Sequence, residues 1–238
     1  HEDFARLQGQ APCVRMIPIG SNIPARRSAQ PDAVAWRRRQ GVAAGDTLLA
    51  WFGLVNHSKG LETLLQGLAE LRAEGLPLRL ALIGGEPGDS DRSNLSFLQT
   101  LEAQIARLQL EPALLRTGYL AAGEVAAWLY ARALAVLPYR DGASFRRGSL
   151  MAAIQQGCAI VTTRPRVPVP EFVHGQNLWL VPPDDASALC AALRTLLASP
   201  DCRHRLRQGA TRLAARFDWD AIAAAYATCL AAVSRARR

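Results

Sequence analysis

Lysine is almost missing from this chain: among its 28 lysine and arginine residues only Lys59 is a lysine. Cysteine is sparse too, and Cys13, Cys158, Cys190, Cys202 and Cys229 contain no C-x-x-C pair. Their odd number and wide spacing exclude a disulfide framework and a cysteine-based zinc site. Cys158 and Cys190 sit in apolar sequence and read as small core residues, the usage expected in a reducing cytoplasm. No apolar run reaches the roughly 18 residues of a membrane span. The opening "HEDFARLQGQAPC" lacks the apolar centre of a signal peptide. Aromatic residues make up 6% and are not interleaved with a basic block, so the net charge of +8 carries no nucleic-acid signature. The arginines scatter through "WRRRQG", "RHRLRQ" and "SRARR", as solvated helix faces do. Three catalytic or nucleotide-binding signatures are absent as well: G-x-G-x-x-G after the first strand, G-x-x-x-x-G-K-[ST], and the G-x-S-x-G elbow of the hydrolases.

What remains is a 238-residue chain, half of it hydrophobic, with enough sequence for one substantial core. Short apolar runs alternate with helical periodicity, which predicts a doubly wound parallel sheet of Rossmann-like α/β type. Strands are expected at about 47–52, 78–83, 113–117, 133–137, 159–162 and 178–181. Between them, Leu61, Leu64, Leu65, Leu68 and Leu71 form one apolar helix face. Phe97, Leu98, Leu101, Ile105 and Leu108 repeat the pattern, as do Leu189, Leu193, Leu196 and Leu197. After Pro183 the strands stop and three helical segments follow, the first with Asp184 as its expected cap. Residues 1–30, rich in proline and polar groups, read as a linker or the edge of another domain, and 31–238 as the main unit. The chain begins with His1, and a piece of a longer protein is expected.

In an open α/β sheet ligands bind outside the carboxyl ends of the strands. The loops there are polar and rich in glycine: "GLVNHSKG", "GGEPGDSDRSN" and "PYRDGASFRRGSL". The last runs through two arginines into a helix starting near Ser149, whose free N–H groups would attract an anion. A lysine is a compact point charge suited to a phosphate approached end-on, whereas arginine is a planar fork. Lys59 and the arginine loop together predict a phosphate site. The candidate contacts are Gly53, Asn56 and Lys59 on the first loop and Gly84 after the second strand. On the fourth loop they are Asp141, Ser144, Arg146, Arg147, Gly148, Ser149 and Leu150. His57 has no carboxylate near it in sequence and reads as a loop histidine, and His174 as a turn residue.

The order of a strand with a "G…KG" loop, a strand ending in "GG", then "GYL", "LPY", a phosphate-loop helix ending at Gly157, "AIVTT" and "EFVHGQNLWLVPPDD" resembles the C-terminal half of GT-B glycosyltransferases. It is most similar to the retaining enzymes of family 4, over about 200 residues, the length of a domain. The resemblance implies that this half binds a nucleotide diphosphate-sugar donor, that an acceptor domain lies N-terminal to it, and that "FDWDAIAAAY" opens a final helix returning to that partner. It implies no cofactor beyond the donor substrate, a cytoplasmic enzyme of glycan biosynthesis, no nucleic-acid partner, and peripheral membrane contact through the other half. By position Lys59 matches the family's phosphate-contacting lysine and Gly53 its loop glycine. The sequence departs at Leu54, where the family usually has arginine. It departs again at Ser144 and Ala152, where the family has two glutamates, the second of which grips the ribose. Arg146–Ser149 resemble a variant of the loop with arginines ahead of the same helix, and Asp141 is placed to meet a sugar or ribose hydroxyl. No residue of this half stands out as catalytic acid or base. Two alternatives stay open: a non-catalytic GT-B-like binding module, and an anionic membrane or nucleic-acid binder acting through the +8 charge.

Overall fold

The computed structural model describes residues 17–25, 33–84, 92–131 and 134–236. Cys13, most of the expected 1–30 linker, and the loop beyond Gly84 lie outside the described residues. Six strands form one parallel sheet: β1 (Thr47–Phe52), β2 (Leu78–Ile83), β3 (Leu114–Arg116), β4 (Leu134–Leu137), β5 (Ala159–Thr163) and β6 (Trp179–Val181). Their order across the sheet is β3-β2-β1-β4-β5-β6. The strands are short, and the central ones are buried on both faces, as covered parallel strands must be, while the edge strands β3 and β6 are only partly covered. Every residue of β4 and β5 is buried, and the two hydroxyls this hides, Thr162 and Thr163, donate to Leu137 O at 2.7 Å and Tyr139 O at 2.6 Å.

The helices among the described residues are α1 (Ala33–Arg39), α2 (Leu61–Ala73), α3 (Arg92–Arg107), α4 (Ala122–Tyr130), α5 (Gly148–Gln155), α6 (Ala186–Ala198), α7 (Pro200–Ala214) and α8 (Trp219–Ala236). The expected leucine face of α2 is buried in full, and Leu101 and Ile105 of α3 reach the same core. Close approach is built into the sequence. A methyl on Gly67 of α2 would lie 3.2 Å from Cys190 Sγ of α6, and one on Gly209 of α7 only 2.7 Å from Asn177 Cα. None of the helices described is long and apolar enough to cross a membrane.

One local expectation is corrected. Asp185, not Asp184, caps α6, its Oδ1 accepting from Ala188 N at 2.8 Å. Asp184 is held at φ 55 and its carboxylate meets Arg140 Nε at 3.0 Å, so a tertiary ion pair takes it away from the cap. The final helical segment, opened by "FDWDAIAAAY", is only half covered on its apolar side. Phe217 and Ile222 are buried, but Trp219 and Tyr226 remain about half exposed. Trp219 still anchors the 17–25 segment, donating from Nε1 to Ser21 O at 2.9 Å over Gly20.

The strand order matters most for function. It reverses direction between β1 and β4, and at such a switch point the two following loops diverge and leave a crevice at the carboxyl ends. Register places Ala50 beside Ala135, which brings the loops starting at Gly53 and Pro138 face to face.

Candidate functional site

The β1 loop is folded by its own side chains. Asn56 Oδ1 accepts from Ser58 N at 3.1 Å and from Ser58 Oγ at 2.8 Å, winding His57–Lys59 into one 3-10 turn. Gly60 ends that turn at φ 63 and starts α2. Arg140 N then donates to Ser58 O at 3.1 Å, tying the turn to the β4 loop. Asn56 is therefore committed to the loop's shape.

The turn aims Lys59 across the crevice. Its Nζ donates to Ser149 Oγ at 3.1 Å, and Ser149 Oγ also bonds the Tyr139 hydroxyl at 2.7 Å. Nζ lies 5.4 Å from the centre of the Tyr139 ring, and Arg147 Cζ lies 4.7 Å from it, so both cations pack on this one aromatic ring. Gly53, at φ 144, leaves room for this: a methyl there would come within 3.1 Å of Nζ. Gly84 packs against the Gly53 peptide, where a methyl would lie 3.0 Å from its carbonyl carbon.

Burial, then the nearby Arg147 charge, lowers the Lys59 pKa to about 8. Burial likewise holds Arg147 below its ordinary value and lifts the Tyr139 phenol well above its own, so Tyr139 stays neutral. The arginines already have carboxylates. Arg147 is ion-paired with Asp141 and donates from Nη1 to Ser58 Oγ at 3.2 Å. Arg140 meets Glu62 at 3.4 Å and Asp184 at 3.0 Å. Among the described residues no carboxylate is ion-paired with Lys59. The site is thus a desolvated ammonium with a hydroxyl and a guanidinium beside it, a suitable seat for a small, highly charged anion.

Four sequence candidates converge here, Gly53, Lys59, Arg147 and Ser149, with Asp141 on Arg147. Ser144 contributes only a carbonyl, which accepts from Arg147 N at 3.1 Å. Gly148 opens α5 and is exposed, as is Arg146. Leu150 has to be corrected. Its side chain is fully buried in the core and its N–H is spent on Arg147 O at 2.9 Å, so it has no free donor for a ligand. Leu54, standing where arginine was expected, is 58% exposed.

Tyr139, Ser58 and Arg140 were not singled out in the sequence. A tyrosine closing the buried run "LAVLPY" was the available signal. His57 lies on the strand-end turn, where the fold brings Glu62 Oε1 to 4.0 Å and Arg140 Nη1 to 2.6 Å from its Nε2. Among the described residues no group of three or more His, Cys, Asp or Glu could hold a metal ion. Two cavities lie away from the crevice. One of about 480 Å³ adjoins Trp36 and Trp128 beside the edge strand β3, and one of about 670 Å³ sits at the amino ends of the strands near Thr47 and Leu78.

A family profile described as "Glycosyl transferases group 1" matches residues 46–199. The chain belongs to this family. A D-inositol 3-phosphate glycosyltransferase of Thermobispora bispora is 32% identical over 220 residues, covering 89% of this chain and 48% of that protein. The corresponding enzyme of Streptomyces bingchenggensis is 28% identical over 241 residues, 100% of this chain and 52% of its own. The glycosyltransferase chain therefore spans about half the length of the curated relatives it matches. Among solved structures, sucrose-phosphate synthase from Thermosynechococcus elongatus superposes with a TM-score of 0.79 at 25% identity, over 99% of this chain and 57% of that one. Anabaena HepE, solved with UDP and glucose, gives 0.72 at 21% identity, over 85% and 53%. The fold is one Rossmann-like half of the GT-B type, with a helical tail.

Proposed function

We propose that this chain is the donor-binding half of a retaining glycosyltransferase, taking a nucleotide diphosphate-sugar whose phosphates sit between Lys59 and Arg147. The observation that carries the reading is Lys59 itself, a desolvated cation at the β1/β4 switch point with no carboxylate ion-paired to it among the described residues. As the glycosidic bond breaks, negative charge builds on the leaving diphosphate. Fixed cations in a low-dielectric site stabilise that charge more than water can. Lys59, Arg147 and the amino end of α5 supply it, and the reading calls for no cofactor besides the donor. Retention rests on the resemblance to family 4 enzymes. The UDP complex of HepE makes UDP the first nucleotide to try.

A second reading, a binding module without transfer, has one observation in its favour. Ala152, where the family has its ribose-gripping glutamate, is fully buried in α5 and offers no polar group. Tight UDP binding with ordinary discrimination against bare pyrophosphate would speak for the donor site. Loss of that discrimination would speak for the second reading.

Lys59→Met and Arg147→Ala are each expected to weaken UDP binding by roughly 1.5–3 kcal/mol, the worth of a hydrogen bond to a charged group. That is about tenfold or more in dissociation constant. Uridine binding should stay unchanged, and Lys59→Arg should not restore the loss, since a fork does not fit a point-charge seat. Calorimetric titration decides it; parent-like binding of both ligands by all three variants would return Lys59 to the status of an ordinary surface lysine. The isolated chain is further expected not to transfer sugar, because the acceptor side of the cleft belongs to the other half. Robust turnover with a panel of nucleotide-sugars and simple acceptors would overturn that.

A further inference from the structure

Resting on the donor-phosphate reading above, we propose that Asp141 is a built-in competitor of the donor diphosphate, holding Arg147 between turnovers and reclaiming it as the nucleoside diphosphate leaves. Three observations carry this. The first is pairing. Among the described residues Asp141 is the carboxylate ion-paired with Arg147, whose other partners are the neutral Ser58 hydroxyl and the Tyr139 ring.

The second is an asymmetry of exposure. The Arg147 side chain is 15% exposed and the Asp141 side chain 53%. The arginine is hemmed in by the crevice wall while the aspartate stands on the solvent side. An incoming anion therefore meets the aspartate first, and the displaced carboxylate returns to water without a desolvation cost.

The third is tethering. Gly142 N donates to Tyr139 O at 3.2 Å and Ala143 N to Thr163 O at 3.3 Å, while a methyl on Gly142 would lie 2.5 Å from Arg164 O. The turn carrying Asp141 is thus packed against the β5 exit and keeps the carboxylate within reach of Arg147. A tethered competitor acts at high effective concentration. Capture of a diphosphate is then a two-stage event. Lys59 accepts one phosphate directly, and the second wins Arg147 only by exchange with Asp141. Release runs the same exchange backwards.

The test is Asp141→Asn, which keeps the shape and removes the charge. Partly exposed ion pairs are weak, so UDP and inorganic pyrophosphate should bind about three- to tenfold more tightly, mostly through slower dissociation in stopped-flow experiments. Uridine binding should not change. In an Arg147→Ala background the same substitution should have no effect, which separates exchange at Arg147 from a general loss of negative charge. Unchanged or weakened UDP binding by Asp141→Asn would overturn the proposal, and weakening would make Asp141 a ligand contact or a positioning residue instead. Failure of the parent chain to bind either UDP or pyrophosphate would be a different result, overturning the donor-phosphate reading itself.

Discussion

Lys59→Met is expected to make the protein more stable at neutral pH while abolishing most of its affinity for a nucleoside diphosphate. Burial and the Arg147 charge bring the lysine to about 8 from an ordinary 10.5. A difference of that size corresponds to about 3 kcal/mol of charging cost in the folded state. Losing the hydrogen bond to Ser149 offsets about 1 kcal/mol of this, and Ser149 keeps its bond to Tyr139. A net gain of roughly 1–2 kcal/mol follows. The sign with pH is fixed by linkage. Between about pH 8 and 10.5 the unfolded chain binds the proton that the folded chain has released, so parent stability rises with pH across that window. The gain in the variant is therefore full below pH 8 and vanishes toward pH 10.5. Ligand binding moves the opposite way. Above pH 8 the parent must take up a proton to bind a phosphate, so its affinity should fall by up to about tenfold per pH unit, while the variant shows no such slope. Denaturant unfolding from pH 6.5 to 10.5, with UDP titrations alongside, measures both. A variant no more stable than the parent would mean that Lys59 is solvated in solution and not the strained cation described here. Functional sites often trade stability in this way.

Gly60→Ala should cost far more than helix propensity or turn strain can explain. Gly60 holds φ 63, and a methyl there would overlap the Pro138 carbonyl oxygen and lie 3.0 Å from its carbon. The obstacle is backbone at the end of a fully buried strand, so nothing soft can yield. Gly75 makes the comparison clean: it holds φ 88, yet a methyl there meets nothing within 4 Å. Gly75→Ala should cost only the left-handed backbone penalty, about 1–2 kcal/mol. Gly60→Ala adds the clash and should lose roughly 4 kcal/mol or more, in the range reserved for severe core or backbone conflicts. The same clash would push the His57–Lys59 turn away from the β4 loop, so whatever folded protein remains should bind UDP poorly. Urea unfolding of the two alanine variants side by side tests this. Equal losses would show that the two loops are not pressed together at Gly60 and Pro138.

Much of the architecture was legible before any coordinates. All six strands lie within one or two residues of where apolar runs placed them, because a doubly covered parallel strand is a short continuous apolar segment wherever it occurs. The helix faces followed from leucine spacing for the same local reason. The polar strand-end loops, the oddness of Lys59, and the arginine loop opening α5 were likewise visible as residue types at element boundaries. Capping was harder. Asp184 and Asp185 are adjacent and chemically equivalent, and only the position of Arg140 assigns one to an ion pair and the other to the helix.

What the sequence by itself determined is therefore the local grammar: which segments are strands and helices, where glycines must sit, and that a lone lysine and two arginines fall on polar strand-end loops. Tertiary structure alone decided who meets whom. Lys59 and Ser149 are 90 residues apart, and His57 and Arg140 are 83 apart. Their contacts exist because β4 inserts beside β1 and not beside β3. Strand order is settled by the summed burial of the whole sheet and its helices, a global quantity to which no single loop contributes a readable signal. The partners of Arg147, the neutral state of Tyr139 and the lowered proton affinity of Lys59 all follow from that placement. Charge states depend on the dielectric and the neighbours that folding supplies, and neither is written at the residue that titrates.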